Sequence, residues 1–459
     1  FEVENVVVPS KVHKGINALK GLSLKIRSGE ILGIAGVDGN GQKELVEVIT
    51  CLCKVKSGKI KINGREIQNT KPRNVIKNKI STIHEDRQRR GLVLDFSVAE
   101  NVILEKYNEI TLKYFGNPNS LHKNGNDAKR KIDESSQIIA DYFHTKKENI
   151  IYTSGSSESN NLVIKGIADR YQNKGKHIII SEIEHSSVIA PCNYLSSKGF
   201  DITVISLDKN GNIDLEQLKK SLREDTILVS IAVVDSELGT IQPISEIAKI
   251  VKENSKAYFH TDATQAIGKV NIDYKYVDFL TFAPHKFFGI NGSGVLINFN
   301  DIKITPLIHG GKSTTIYRSG TPVSANAVCI AMALQLATKD LEKKINYVKE
   351  LNSYLIKKLK MINGISINSP KYAIPNTINF SIKNAKIIVN KLYEKGVYVS
   401  MQSACSLGTS PSKSVYALTK SKERASNSIR VSITHITTKK QINEFIRILK
   451  EIINEDNNY

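Results

Sequence analysis

Lys286 closes the apolar run Asp278-Phe-Leu-Thr-Phe-Ala-Pro-His-Lys286 and is followed by the glycine-rich Gly289-Ile-Asn-Gly292-Ser-Gly294. Upstream stands His260-Thr-Asp262-Ala-Thr-Gln265. A lysine amine attacks an aldehyde only after losing its proton, which partial desolvation and cationic neighbours favour. A carboxylate held against a pyridine nitrogen keeps that ring an electron sink. The two segments together therefore suit a Schiff base between Lys286 and pyridoxal 5'-phosphate, with Asp262 facing the ring nitrogen.

Four further clusters carry chemistry. Thr153-Ser-Gly-Ser156-Ser157-Glu158 is a turn that opens a helical pattern, and hydroxyls and amides at a helix N-terminus suit a phosphate. The same composition would also serve as an ordinary N-cap. Glu182-Ile-Glu-His185-Ser-Ser187 follows a strand pattern, and an imidazole offers both an aromatic face and a proton exchanged near neutrality. Ser403-Ala-Cys405-Ser406 begins a Ser/Thr/Pro-rich loop reaching Ser414. Ser428-Ile-Arg430-Val-Ser432 places a guanidinium in a strand-like segment.

These residues need a scaffold that delivers them from several strand ends. From about Glu105 onward helical and strand patterns alternate. The pattern predicts a helix over Asp127–Phe143 and strands over Asn149–Thr153, His177–Ser181, Asp201–Leu207, Thr226–Val234, Ala257–Thr261 and Val277–Phe282. Such alternation implies a mostly parallel sheet covered by helices. Helical segments Ala325–Leu341 and Lys343–Lys360 then lead to a smaller α/β domain ending in a helix over Lys440–Asn454.

The chain has 459 residues, 40% hydrophobic and 24% charged, with a net charge of +20. The positive excess is spread along the chain, not gathered into a stripe interleaved with aromatics, so no nucleic-acid partner is expected. No run of about 18 apolar residues predicts a membrane span. Cys51, Cys53, Cys192, Cys329 and Cys405 are odd in number and scattered, which fits a reducing cytoplasm and no metal site.

The first hundred residues read differently. A strand pattern over 17–26 is followed by Glu30-Ile-Leu-Gly-Ile-Ala, then Gly36-Val-Asp-Gly39-Asn-Gly41-Gln42-Lys43 and a helical Glu44-Leu-Val-Glu-Val-Ile. Strand, glycine loop, helix is the context of a phosphate-binding loop. With Glu85-Asp-Arg87, Arg90-Gly-Leu-Val93 and Ser97-Val-Ala-Glu-Asn101, residues 1–104 resemble part of a sugar or nucleoside ABC import ATPase. Gln42 and Lys43 stand where the resemblance calls for the phosphate lysine and the magnesium-binding hydroxyl, so ATP hydrolysis is not expected.

Residues 105–459 resemble group I cysteine desulfurases, a branch of the class V pyridoxal-phosphate enzymes. The resemblance implies fold type I, with a large cofactor domain over 105–328 and a small domain with the cysteine loop over 329–459. It implies that Ser156, Ser157 and His285 contact the cofactor phosphate, and that His185 stacks on the ring and relays protons. Asp262 would pair with the ring nitrogen, while Gln265 and Ser236 would meet the phenolic oxygen. Thr321 would reach the phosphate of a neighbouring subunit, which implies a homodimer. Arg430 would clamp the carboxylate of L-cysteine, and Cys405 would take its sulfur as a persulfide for an iron–sulfur scaffold or thiolation protein. The family's N-terminal Asp-Asn-x-Ala-Thr-Thr type of segment is missing, Ser236 replaces an asparagine, Ala283-Pro284 replaces a Ser-Gly pair, and Gln402 replaces a glycine. Another class V activity, an aminotransferase or a selenocysteine lyase, and an inactive fusion remain alternatives.

Overall fold

The computed structural model describes residues 1–10, 15–34, 40–80, 98–401 and 411–456. Chain contacts divide the protein into two units, Phe1–Phe96 and Ser97–Tyr459. The division falls on the N-terminal side of Leu104, where the ABC-like motifs end.

The first unit contains β1 (Glu2–Pro9), β2 (Asn17–Lys25), α1 (Gln42–Ile49), β3 (Ser57–Ile62), β4 (Arg65–Glu66) and α2 (Pro72–Lys77). Its strands form an antiparallel sheet in the order β2-β1-β3-β4. Val3, Val6, Val8, Leu19 and Ile60 bury one face of that sheet against Leu45 and Val48 of α1. The strand expected from Glu30 is not formed over residues 30–34, and Ile31 is 97% exposed there. An apolar run of this kind becomes a strand only between neighbours, and no described strand pairs with it. The glycine loop itself lies partly outside the described residues.

The second unit begins with α3 (Val98–Lys113) and α4 (Lys123–Tyr142). Then come β5 (Ile150–Thr153), α5 (Ser156–Tyr171), β6 (His177–Ser181), α6 (Ser186–Ser196), β7 (Asp201–Ile205) and α7 (Leu215–Ser221). These are followed by β8 (Thr226–Ser230), α8 (Ile244–Asn254), β9 (Tyr258–Asp262), β10 (Phe279–Phe282) and β11 (Gly294–Asn298). Together the strands make a seven-stranded sheet ordered β5-β11-β10-β9-β8-β6-β7. It is parallel except for β11, which runs antiparallel to both β10 and β5. Strand alternation sends Ile178, Ile180, Leu228 and Phe279 to one face and Ile179, Val229, Leu280 and Phe282 to the other, so both faces are packed. That two-sided burial is why these strands read as continuous apolar runs.

α9 (Ser324–Thr338) covers the large sheet and α10 (Leu341–Leu359) leads away from it. The break between them falls at Asp340, whose φ is 53°. Leu351, Leu355 and Leu359 then repeat at helical spacing along one side of α10. They pack into a second core with β12 (Ser366–Ile367), β13 (Thr377–Ser381) and α11 (Ala385–Glu394). The small domain is completed by α12 (Lys413–Thr419), α13 (Lys422–Ser426), β14 (Ser428–Ser432) and α14 (Lys439–Asp456). Among the described residues no helix is long and apolar enough to cross a membrane.

Phe282 ends β10 just before Lys286, and its ring stacks on Phe143 at 5.6 Å and tilts against Phe287 at 6.0 Å. Truncating a buried aromatic costs about 3–5 kcal/mol. Phe282→Ala is therefore expected to lower the urea midpoint strongly; an unchanged midpoint would show that this aromatic stack does not hold the strand.

Candidate active site

In a parallel sheet the residues that leave the carboxyl ends of neighbouring strands converge on one edge. Here β6 leads to His185, β8 to Asp235 and Ser236, β9 ends in Asp262, and β10 leads to Lys286.

Asp262 is buried and held from two sides. The Thr264 amide donates to its Oδ1 at 2.9 Å, and Asn160 Nδ2 on α5 donates to its Oδ2 at 2.8 Å. Asn160 Nδ2 also lies 2.9 Å from Ser187 Oγ, which is 2.8 Å from His185 Nδ1. The Ser187 amide donates to the same Nδ1 at 3.2 Å, capping α6. A nitrogen that accepts from an amide carries no proton, so neutral His185 holds its proton on Nε2. The sequence singled out Asp262 and His185 but not the two residues that join them. Asn160 sits four residues after Ser156, one helical turn, and that spacing was the available signal.

Ser156 and Ser157 open α5 with no side-chain cap on its first turn. The free amides and hydroxyls there match a phosphate. Glycine is required beside this turn: a Cβ at Gly294 would fall 2.5 Å from the Gly155 carbonyl carbon. Glu158, one turn in, pairs with Arg318 at 2.9 Å and accepts from the Ser154 amide at 2.7 Å. These bonds hold its carboxyl below the usual range despite burial.

His285 and Lys286 stand on a single 3-10 turn over Pro284–Phe287. Both are exposed, so the partial desolvation expected of Lys286 is not found: the turn carries it past the end of β10. The expected cationic neighbour is present as Lys269. Its Nζ donates to Gln265 Oε1 at 2.8 Å, and burial, then the charges of Lys286 and Arg430, push its pKa down to about 7.

Arg430, in the middle of β14, donates from Nη1 to the Ser236 carbonyl at 2.9 Å, and its buried Nε has no partner. Asp235 and Glu237 flank Ser236 and are both buried. Asp235 accepts from Ser414 Oγ at 2.8 Å and from the Glu237 amide at 3.0 Å, while Glu237 accepts from Ser412 Oγ. Burial, then the charge of Glu237, pushes the Asp235 carboxyl up to about 6. Thr321 is exposed ahead of α9. Cys405, with Gln402, lies outside the described residues.

The donor set fits pyridoxal phosphate. It offers free amides and serines for a phosphate, a positioned buried acid for a ring nitrogen, an amide and a lysine at the adjoining strand ends, and an orphaned guanidinium Nε for a carboxylate.

The class V aminotransferase family profile matches residues 97–445. The chain belongs to that family. Among class V relatives, a cysteine desulfurase IscS of Dictyoglomus turgidum is 40% identical over 375 residues, covering 80% of this chain and 95% of that protein. The cysteine desulfurase IscS of Methanosarcina thermophila is 37% identical over 345 residues, covering 74% and 85%. A solved NifS-like protein superposes with a TM-score of 0.72 at 32% identity, over 77% of this chain and 96% of that one. SspA, solved in complex with cysteine, gives 0.65 at 30% identity, over 73% and 96%. The class V family depends on pyridoxal phosphate. The ABC transporter profile matches residues 19–158 and so overlaps the class V match. In that overlap, β5 and the start of α5 are parts of the class V sheet and its helical cover.

Glu184, beside His185, is buried; its Oε1 accepts from Ser181 Oγ at 2.6 Å and from the Ala232 amide at 2.9 Å, and its Oε2 has no partner. Burial pushes its pKa up to about 8. The folded protein then binds a proton that the unfolded chain releases near pH 4–5, so stability falls as pH rises from there to about 8 and levels off above. Glu184→Gln keeps the accepting oxygen and removes the titration. Its stability relative to the parent is expected to grow with pH across that window, by at most about 1.4 kcal/mol per unit. Parallel urea-midpoint profiles from pH 5 to 9 would count against a neutral Glu184.

Proposed function

We propose that this chain is a pyridoxal-phosphate-dependent cysteine desulfurase that converts L-cysteine to L-alanine and keeps the sulfur as a persulfide on Cys405. The observation that carries the reading is the hydrogen-bonded line Asp262–Asn160–Ser187–His185 lying at the strand ends that also present Lys286. The wider family resemblance and the relatives' names support it.

Bound pyridoxal phosphate supplies an aldehyde for a lysine and an electron sink for the substrate α-carbon. Ser156, Ser157 and His285 would hold its phosphate, Asp262 would pair with its ring nitrogen, and Gln265 and Ser236 would meet its phenolic oxygen. His185, its Nδ1 occupied by Ser187, would stack on the ring and offer Nε2 for proton exchange. Arg430 turns its free guanidinium edge to the substrate carboxylate, already braced by the Ser236 carbonyl. Lys286 takes the proton from the α-carbon. Cys405 as thiolate attacks the substrate sulfur: an S–S bond forms and the Cβ–S bond breaks, with the electron pair left on carbon. Protons returned to carbon give alanine. Cysteine and enzyme thiol thus become alanine and enzyme persulfide with no outside oxidant.

Ser412 and Ser414, bound to the buried acids Glu237 and Asp235, anchor the far root of the loop that carries Cys405. A homodimer in which Thr321 reaches the partner's phosphate, a downstream sulfur-acceptor protein and a cytoplasmic setting complete the proposal. So does the division into an ABC-like piece over 1–104, a cofactor domain over 105–328 and a small domain over 329–459.

Borohydride reduction of the yellow protein followed by peptide mapping is expected to label Lys286, and a label on any other lysine overturns the assignment. Cys405→Ala is expected to keep the yellow colour yet lose sulfide release from cysteine with a reducing thiol; release at the parent rate would exclude Cys405 as sulfur acceptor. Arg430→Ala is expected to raise the KM for cysteine by roughly 10- to 150-fold, the equivalent of about 1.5–3 kcal/mol for a charge-assisted contact. An unchanged KM would place the carboxylate elsewhere.

A further inference from the structure

Lys269 is absent from the motif clusters that point to the chemistry. It lies four residues after Gln265, on the turn that follows β9, and is partly buried. A lysine ammonium only donates, and the neutral amine that burial favours at Lys269 still donates in the bond recorded here, whereas a primary amide has one accepting and one donating edge. The 2.8 Å bond from Lys269 Nζ to Gln265 Oε1 therefore decides which way the Gln265 amide is turned. Its acceptor is taken, and its Nε2 is the edge left for a third group. That edge suits an anionic oxygen.

The charges around Lys269 point the same way. Lys286, from the 3-10 turn after β10, and Arg430, from β14, both lie close enough to disfavour its ammonium. Three cations from three elements share one region, and an incoming anion relieves their repulsion.

We propose that Lys269 is a positioning residue: it locks the Gln265 amide with its donor edge toward the phenolic oxygen of bound pyridoxal phosphate, and so lowers the pH at which the Schiff base at Lys286 loses its proton. This rests on the reading of Gln265 as the contact to that oxygen. A donor that stabilises the oxygen as an anion weakens its hold on the proton shared with the imine nitrogen. Losing the donor strengthens that hold and raises the midpoint.

The test is a pH titration of the visible absorption of the full-length holoenzyme. Lys269→Met is expected to raise the midpoint by about one pH unit, the size of one ordinary hydrogen bond. Lys269→Arg, which still donates and still carries charge, is expected to restore most of the parent value. Gln265→Leu is expected to shift the midpoint by a similar amount, and the double variant K269M/Q265L no further than the larger single shift. A shift in Gln265→Leu without one in Lys269→Met overturns the role of Lys269 and leaves Gln265 standing. No shift in either overturns the Gln265 contact itself. A shift in Lys269→Met alone, or full additivity in the double variant, means that Lys269 acts through its own charge, which also overturns the positioning role. If Lys269→Met fails to hold the cofactor, Lys269→Gln takes its place as a neutral donor. A midpoint within about half a unit of the parent then supports positioning, and a full-unit rise overturns it.

Discussion

A carboxylate buried at the end of a parallel strand must find donors, and the way Asp262 finds them organises everything around it. One donor is its own turn, through the Thr264 amide; the other is Asn160, from a helix distant in sequence. Because Asn160 uses the same Nδ2 toward Ser187, meeting the need of the acid also fixes Ser187, and Ser187 fixes the tautomer of His185. The segments that follow three separate strands, β5, β6 and β9, are thereby tied together by side-chain hydrogen bonds. These side chains are oriented before any ligand arrives, and preorganisation of this kind removes an ordering cost from binding.

Two charge groups meet at Arg430. The acids Asp235 and Glu237 flank Ser236 and are tied to Ser414 and Ser412, whereas Lys286 and Arg430 both act on Lys269. Arg430 spans the two groups: the acids favour its charge and burial opposes it. A single strand of the small domain thus meets the backbone of Ser236 between the two buried acids, and movement of that domain would be felt there.

Much of this was legible in the sequence because the parallel strands are buried on both faces and read as unbroken apolar runs, each followed by a polar word. Asp262, His185 and Lys286 could be found that way; Arg430, inside the antiparallel β14, was marked by its own motif Ser428-Ile-Arg430-Val-Ser432. β11 was hidden, since Gly294-Val-Leu-Ile-Asn298 reads as the tail of a glycine loop and only pairing with both β10 and β5 makes it a strand. Lys269 was hidden for another reason: its importance comes from what lies across from it, which one-dimensional spacing does not record, while Asn160 and Ser187 were marked only by standing near Ser156 and His185. The opposite error occurred at Glu30–Ile34, where the local pattern is that of a core strand but no described strand pairs with it.

α3 starts at Val98, within the words shared with the ABC-like leader, and continues without a break to Lys113. Its later turns bury Ile110 and pack Tyr107 against the class V core. The last of the ABC-like words and the first residues of the class V piece therefore share one run of helical backbone. Trimming the leader at Leu104 would amputate the first two turns of that helix, whereas a cut after Phe96 would leave it whole.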